Sequence, residues 1–122
     1  MKVLFTGDRW WLGWRSIADR LDDLDPEVDE IIVGDAKGVD LLTFNIAKEK
    51  GFKVNTANEG KRYKADWDRH GRAAGILRNI VMLDQKPDLV IAFHPDLEKS
   101  KGTRHCVEEA RKRGIKVEVN NS

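Results

Sequence analysis

Apolar residues recur along this chain in two alternating rhythms. Lys2–Thr6 is a short, largely apolar run that stops at Gly7, which reads as a strand. Trp14, Ile17, Ala18, Leu21 and Leu24 follow at i, i+3, i+4, i+7 and i+10, one face of an amphipathic helix that Pro26 ends. Glu30–Val33 is a second strand, closed by Gly34. Leu41–Lys50 reads as a helix with Gly51 placed as its C-terminal cap. Phe52–Thr56 is a weaker third strand. Gly71–Leu83 is helical, with Ala73, Ile76, Leu77, Ile80 and Leu83 predicted on one side. Asp88–Phe93 is the clearest strand, because Leu89 to Phe93 is entirely apolar. Thr103, Cys106, Val107 and Ala110 mark a last helical face before Gly114, and Ile115–Val119 is a final strand.

Strands alternating with helices of this length predict βαβ units and a parallel sheet. Continuous apolar strands fit a sheet covered on both faces. With right-handed crossovers the fold class is α/β: a doubly wound sandwich of about five mainly parallel strands. Such sheets bind ligands outside the carboxyl ends of their strands, so the loops after the strands are where chemistry is expected.

The 122 residues predict a single domain over the whole span. Twenty-two Lys and Arg against 21 Asp and Glu leave a net charge of +1. That balance argues against a dedicated duplex-DNA or membrane-surface binder, which carries a large basic excess. One cysteine, Cys106, excludes an intrachain disulfide and a multi-cysteine zinc site. His70, His94 and His105 lack metal-ligand spacing, so neither metal nor cofactor is expected. No apolar stretch spans a bilayer and no signal-peptide pattern is present, which predicts a soluble cytoplasmic protein.

Four segments can carry chemistry. Gly7-Asp8-Arg9-Trp10-Trp11 follows the first strand; the glycine permits a tight turn, and Arg9 can meet a phosphate bidentately. Gly34-Asp35-Ala36-Lys37-Gly38-Val39-Asp40 joins the second strand to a helix. It is either a cradle of backbone N–H groups at a helix N-terminus, with Lys37 as a point charge, or a plain turn capped by Asp35 or Asp40. Its glycines fit neither the P-loop nor the dinucleotide fingerprint. Ala65 to Asn79 places Gly71, Ala74 and Gly75 at the start of a helix, with Arg78 and Asn79 two turns in; from Glu59 to Arg78 six basic residues face three acidic ones. His94 to Thr103 follows the strongest strand. Gly102-Thr103 opens the last helix there, as a second phosphate cradle or a simple cap. Cys106 lies on an apolar face and reads as a buried structural thiol.

Taken in order, Gly7-Asp8-Arg9, Gly34 to Asp40, Ala65-Asp66-Trp67, the Gly71-x-Ala73-Ala74-Gly75-x-x-Arg78-Asn79-x-x-Met82 run and Gly102-Thr103 resemble the YspA-like, YpsA-related branch of the SLOG superfamily. The resemblance covers nearly the whole chain. It implies a Rossmann-like sheet and a site for nucleotides or nucleotide-derived ligands, built from the residues just named. Relatives include lysine-decarboxylase-like phosphoribohydrolases, nucleotide-derivative sensors (ADP-ribose derivatives among their ligands) and DNA-processing proteins of the DprA type, and small members occur in phages. The phosphoribohydrolases carry a PGGxGTxxE pattern. Here Asp96 to Lys101 replaces its glycine-rich turn, and Cys106 stands where its glutamate would be.

Three functional readings follow. The first is binding of a nucleotide-derived small molecule, with phosphate between Gly34–Gly38 and Gly102–Thr103, with Arg78, Lys37 and Arg9 as charge partners, and with Trp10, Trp11 or Trp67 stacking on a base. The second is hydrolysis of a nucleotide N-glycosidic bond, with Asp8, Asp35, Asp40 and Asp66 as candidate carboxylates. The third is single-stranded nucleic-acid binding through the Glu59–Arg78 stretch with Tyr63 and Trp67, against which the neutral net charge weighs. Trp10, Trp11 and Trp14 are more aromatic surface than one helix face hides, which predicts a homo-oligomer.

Overall fold

The structure is a computed structural model that describes residues 1–55 and 71–122, with Arg72 described by its backbone alone. In chain order it forms β1 (Lys2–Gly7), α1 (Trp14–Asp22), β2 (Glu30–Val33), α2 (Val39–Glu49) and β3 (Lys53–Asn55). After residue 70 come a 3-10 turn (Gly71–Ala73), α3 (Ala74–Asp84), β4 (Leu89–Phe93), a second 3-10 turn (Leu97–Lys99), α4 (Gly102–Lys112) and β5 (Lys116–Asn120). The strands lie in the order β3-β2-β1-β4-β5, and every neighbouring pair is parallel. This is the doubly wound, Rossmann-like α/β sheet that the alternating rhythms predict. Among the described residues no helix is long and apolar enough to cross a membrane.

Side chains of a strand alternate between faces, so each strand serves two cores. Val3, Phe5, Ile31, Val33, Ile91 and Phe93 face α1 and α2, where Ile17, Leu21, Val39 and Ala47 are fully buried against them. Leu4, Ile32 and Val90 face α3 and α4, where Met82, Leu83, Cys106 and Ala110 complete the second core. This double burial is why the strands read as unbroken apolar runs. Ion pairs tie the elements at their rims: Arg20 of α1 donates to both carboxylate oxygens of Glu118 on β5 at 2.9 and 3.0 Å, and Arg113, at the end of α4, donates to Asp84, at the end of the neighbouring α3, at 2.8 Å.

Two faces differ from the periodicity. Trp14 opens α1 half-exposed, with the Arg15 guanidinium 5.2 Å over its ring. Trp11, just before the helix, supplies the buried aromatic instead. It meets Phe93 edge-on at 5.7 Å and donates its indole N–H to the Gly13 carbonyl. On α3, Ile76 and Leu77 are exposed, while Ala74, Asn79, Met82 and Leu83 are buried. That helix is apolar on almost every side, so its pattern could not single out the face that packs.

Candidate functional site

β1 and β4 are neighbours whose outgoing chains part. The chain after β1 enters α1 on one face of the sheet, and the chain after β4 enters α4 on the other. A crevice must open where they diverge, and one does. The cleft, about 830 Å³, is lined from four directions. The end of β1 contributes Thr6 to Trp10. The β2–α2 loop contributes Asp35, Ala36 and Lys37, with Asp40 from the first turn of α2. Gly75 and Arg78 come from α3, and His94 and Lys99 to Thr103 come from the β4–α4 loop and the start of α4. Five of these residues are Lys or Arg and three are Asp, so the lining leans positive in a neutral protein.

The β2–α2 wall is partly bonded within itself. Asp40 is 3% exposed and its Oδ2 accepts the Ala36 N–H at 3.1 Å, while the Val39 N–H donates to the Asp8 carbonyl at 3.1 Å. Two of the backbone donors offered to a phosphate by the sequence reading are thus already used. Arg78 reaches this wall from α3: its Nη1 bonds Asp35 at 2.5 Å and lies 4.0 Å from Asp40. Gly34 makes room for it, since a Cβ there would lie 3.0 Å from the guanidinium carbon. Gly38, at φ 68°, lets the β1 loop and the α2 start touch; a Cβ there would lie 2.2 Å from the Asp8 carbonyl oxygen.

The β4–α4 wall also spends an amide on itself. Ser100 Oγ accepts the Thr103 N–H at 3.0 Å, and His105 N–H bonds the Lys101 carbonyl. The N–H groups of Lys101 and Gly102 have no acceptor among the described residues. Gly102 is exposed, and nothing lies within 4 Å of where a Cβ would stand. A helix N-terminus with free N–H groups flanked by Lys99 and Lys101 attracts an anion. At the mouth, Trp10 is 71% exposed, its backbone N–H bonded to Asp8 Oδ1 and the Arg9 guanidinium 5.3 Å over its ring.

Gly7, Asp8, Arg9, Asp35, Ala36, Lys37, Asp40, Arg78, Gly102 and Thr103 therefore come together around one cleft. Gly34 and Gly38 shape it from behind. Asn79 is 1% exposed and stands behind the lining, donating to the Gly102 carbonyl at 3.1 Å. Asp66 and Trp67, and most of the Glu59–Arg78 stretch including Tyr63, lie outside the described residues. Trp11 is buried in the core and is unavailable for stacking. His94, Lys99, Ser100 and Lys101 of the fourth candidate segment join the lining, as does Thr6, which lies in β1 and belonged to none of the four segments. Cys106 is fully buried; burial, with Asp40's charge adding, pushes its thiol up to about 12, against the opposing Thr6 hydroxyl and Arg78.

Fold and cleft define the class: a Rossmann-like α/β protein with a cationic crevice at the topological switch point. Within that class the chain belongs to the YspA, cpYpsA-related SLOG family, whose model matches residues 1–70. It is similar to the Gene 61 protein of Mycobacterium phage D29, 38% identical over 123 residues that cover 95% of this chain and 93% of that protein. No solved structure matches the chain. Family membership associates it with nucleotide-related binding or activity.

Proposed function

We propose that the cleft binds a nucleotide or nucleotide-derived small molecule, with a phosphate at the start of α4 and the base against Trp10. The observation that carries this reading is the Lys101 and Gly102 N–H groups, without an acceptor among the described residues, set beside Ser100, Thr103, Lys99 and Lys101 at the switch point. Of the two cradles suggested by the sequence, the β2–α2 loop has spent two amides internally and the start of α4 one. Arg78, Lys37 and Arg9 supply further positive charge, and each charged hydrogen bond to phosphate contributes about 1.5–3 kcal/mol. The cleft volume falls in the range of small-molecule sites, about 300–1,000 Å³.

Calorimetry with mono-, di- and cyclic nucleotides and ADP-ribose tests this. A ligand is expected for the wild type. Trp10→Ala should cost about 1–3 kcal/mol of affinity, the worth of one stacked base, with no loss of melting temperature because the ring is exposed. A screen in which no nucleotide binds the wild type better than Trp10→Ala and Lys101→Ala sinks the reading. Chromatography of the same mixtures separates binding from hydrolysis. Asp8 lines the cleft and pairs with no basic group among the described residues. Released base or ribose 5-phosphate, lost in Asp8→Asn, would make the protein a hydrolase.

A further inference from the structure

Arg78 and Asn79 are consecutive on α3, yet they grip opposite walls of the cleft. Arg78 Nη1 bonds Asp35 of the β2–α2 loop, and Asn79 Nδ2 bonds the carbonyl of Gly102, the first residue of α4. Neighbours on a helix point about 100° apart, so one dipeptide can span two walls that the strand order separates. We propose that α3 acts as a crossbar whose Asn79 amide fixes the start of α4, and with it the open N–H groups of Lys101 and Gly102, without touching the ligand.

Stability does not explain an asparagine at this position. The residue is 1% exposed, on the helix that also buries Met82 and Leu83, and its Oδ1 is buried with no hydrogen-bond partner among the described residues. A buried acceptor left unpaired costs stability that an apolar side chain of the same size would not. Arg78 repeats the pattern, its Nε buried and without a partner among the described residues while its Nη1 holds Asp35. Both side chains accept an unsatisfied atom in order to make one directed bond to a cleft wall. That trade suits positioning better than packing. The Gly102 carbonyl is a good handle, because fixing it orients the first peptide units of α4, where Lys101, Gly102 and Thr103 line the cleft.

The affinity arm of the test rests on the nucleotide reading; the structural arm does not. Asn79→Leu keeps the branched shape and removes the bond, and Asn79→Ser keeps a polar group too short to reach. Hydrogen exchange of the first bonded amides of α4, His105 and Cys106, is compared with that of Val90 and Ile91 in the sheet centre. Exchange at α4 should rise about tenfold in both variants while the sheet amides stay as in the wild type, and affinity for the best nucleotide of the screen should fall about tenfold. Unchanged exchange at His105 and Cys106, or an increase shared equally by Val90 and Ile91, overturns the crossbar. A wild type that binds no nucleotide overturns the functional reading instead and leaves the exchange comparison decisive for Asn79.

Discussion

Gly38→Ala separates close backbone packing from ordinary turn strain. Gly38 has φ 68° and ψ −123°, a conformation in which an L side chain costs about 1–3 kcal/mol. Its missing Cβ would also lie 2.2 Å from the Asp8 oxygen, 2.5 Å from the Arg9 carbonyl carbon and 2.7 Å from the Arg9 oxygen. All three atoms are backbone, so no rotamer change relieves the clash. The β1 loop must move away from α2, and the Val39 N–H to Asp8 carbonyl bond goes with it, worth about 0.5–1.5 kcal/mol. The total is about 3 kcal/mol, or roughly 10 °C in melting temperature for a chain of this length. Gly51 is the control. It too has positive φ, 88°, but nothing lies within 4 Å of its absent Cβ, so Gly51→Ala should cost only about 1–2 kcal/mol. Thermal unfolding followed by circular dichroism measures both. Equal drops for the two variants would refute the claim that Gly38 is a contact between walls.

Two further outcomes are expected. The Arg20 guanidinium bonds Glu118 and holds its carboxyl below the ordinary range, although partial burial opposes it. A carboxyl depressed in the folded state contributes stability that is present above its unfolded pKa, about 4.3, and is lost as pH falls through the folded value. The pair is about a third exposed on its Glu118 side, so Glu118→Gln should cost under about 1 kcal/mol at pH 7. The variant should also lose less urea resistance than the wild type between about pH 5 and 3, and parallel losses in the two proteins would contradict this sign. Cys106, fully buried with its thiol pushed up to about 12, should resist Ellman's reagent at pH 8 until the protein is unfolded by urea; fast labelling of the folded protein would show that the second core is open.

Sheet and layers were legible in the amino-acid order because burial on both faces leaves a plain signature. Leu89 to Phe93 could only be a central strand, and Ile17 and Leu21, one helical turn apart, could only face a core. The loops that carry the cleft were legible for the same reason, since a parallel sheet puts its ligand at the strand ends. Tertiary structure decided what periodicity leaves degenerate. α3 is apolar nearly all round, and only packing chose Met82 and Leu83 over Ile76 and Leu77. Trp10 and Trp11 are adjacent and chemically alike, yet the turn after β1 sends one to Phe93 and the other to the cleft mouth. Gly34–Gly38 and Gly102–Thr103 looked equivalent as phosphate cradles. Asp40 and the Asp8 carbonyl, brought in by chain geometry that no local pattern encodes, occupy two amides of the first, while the second gives up the Thr103 amide to Ser100.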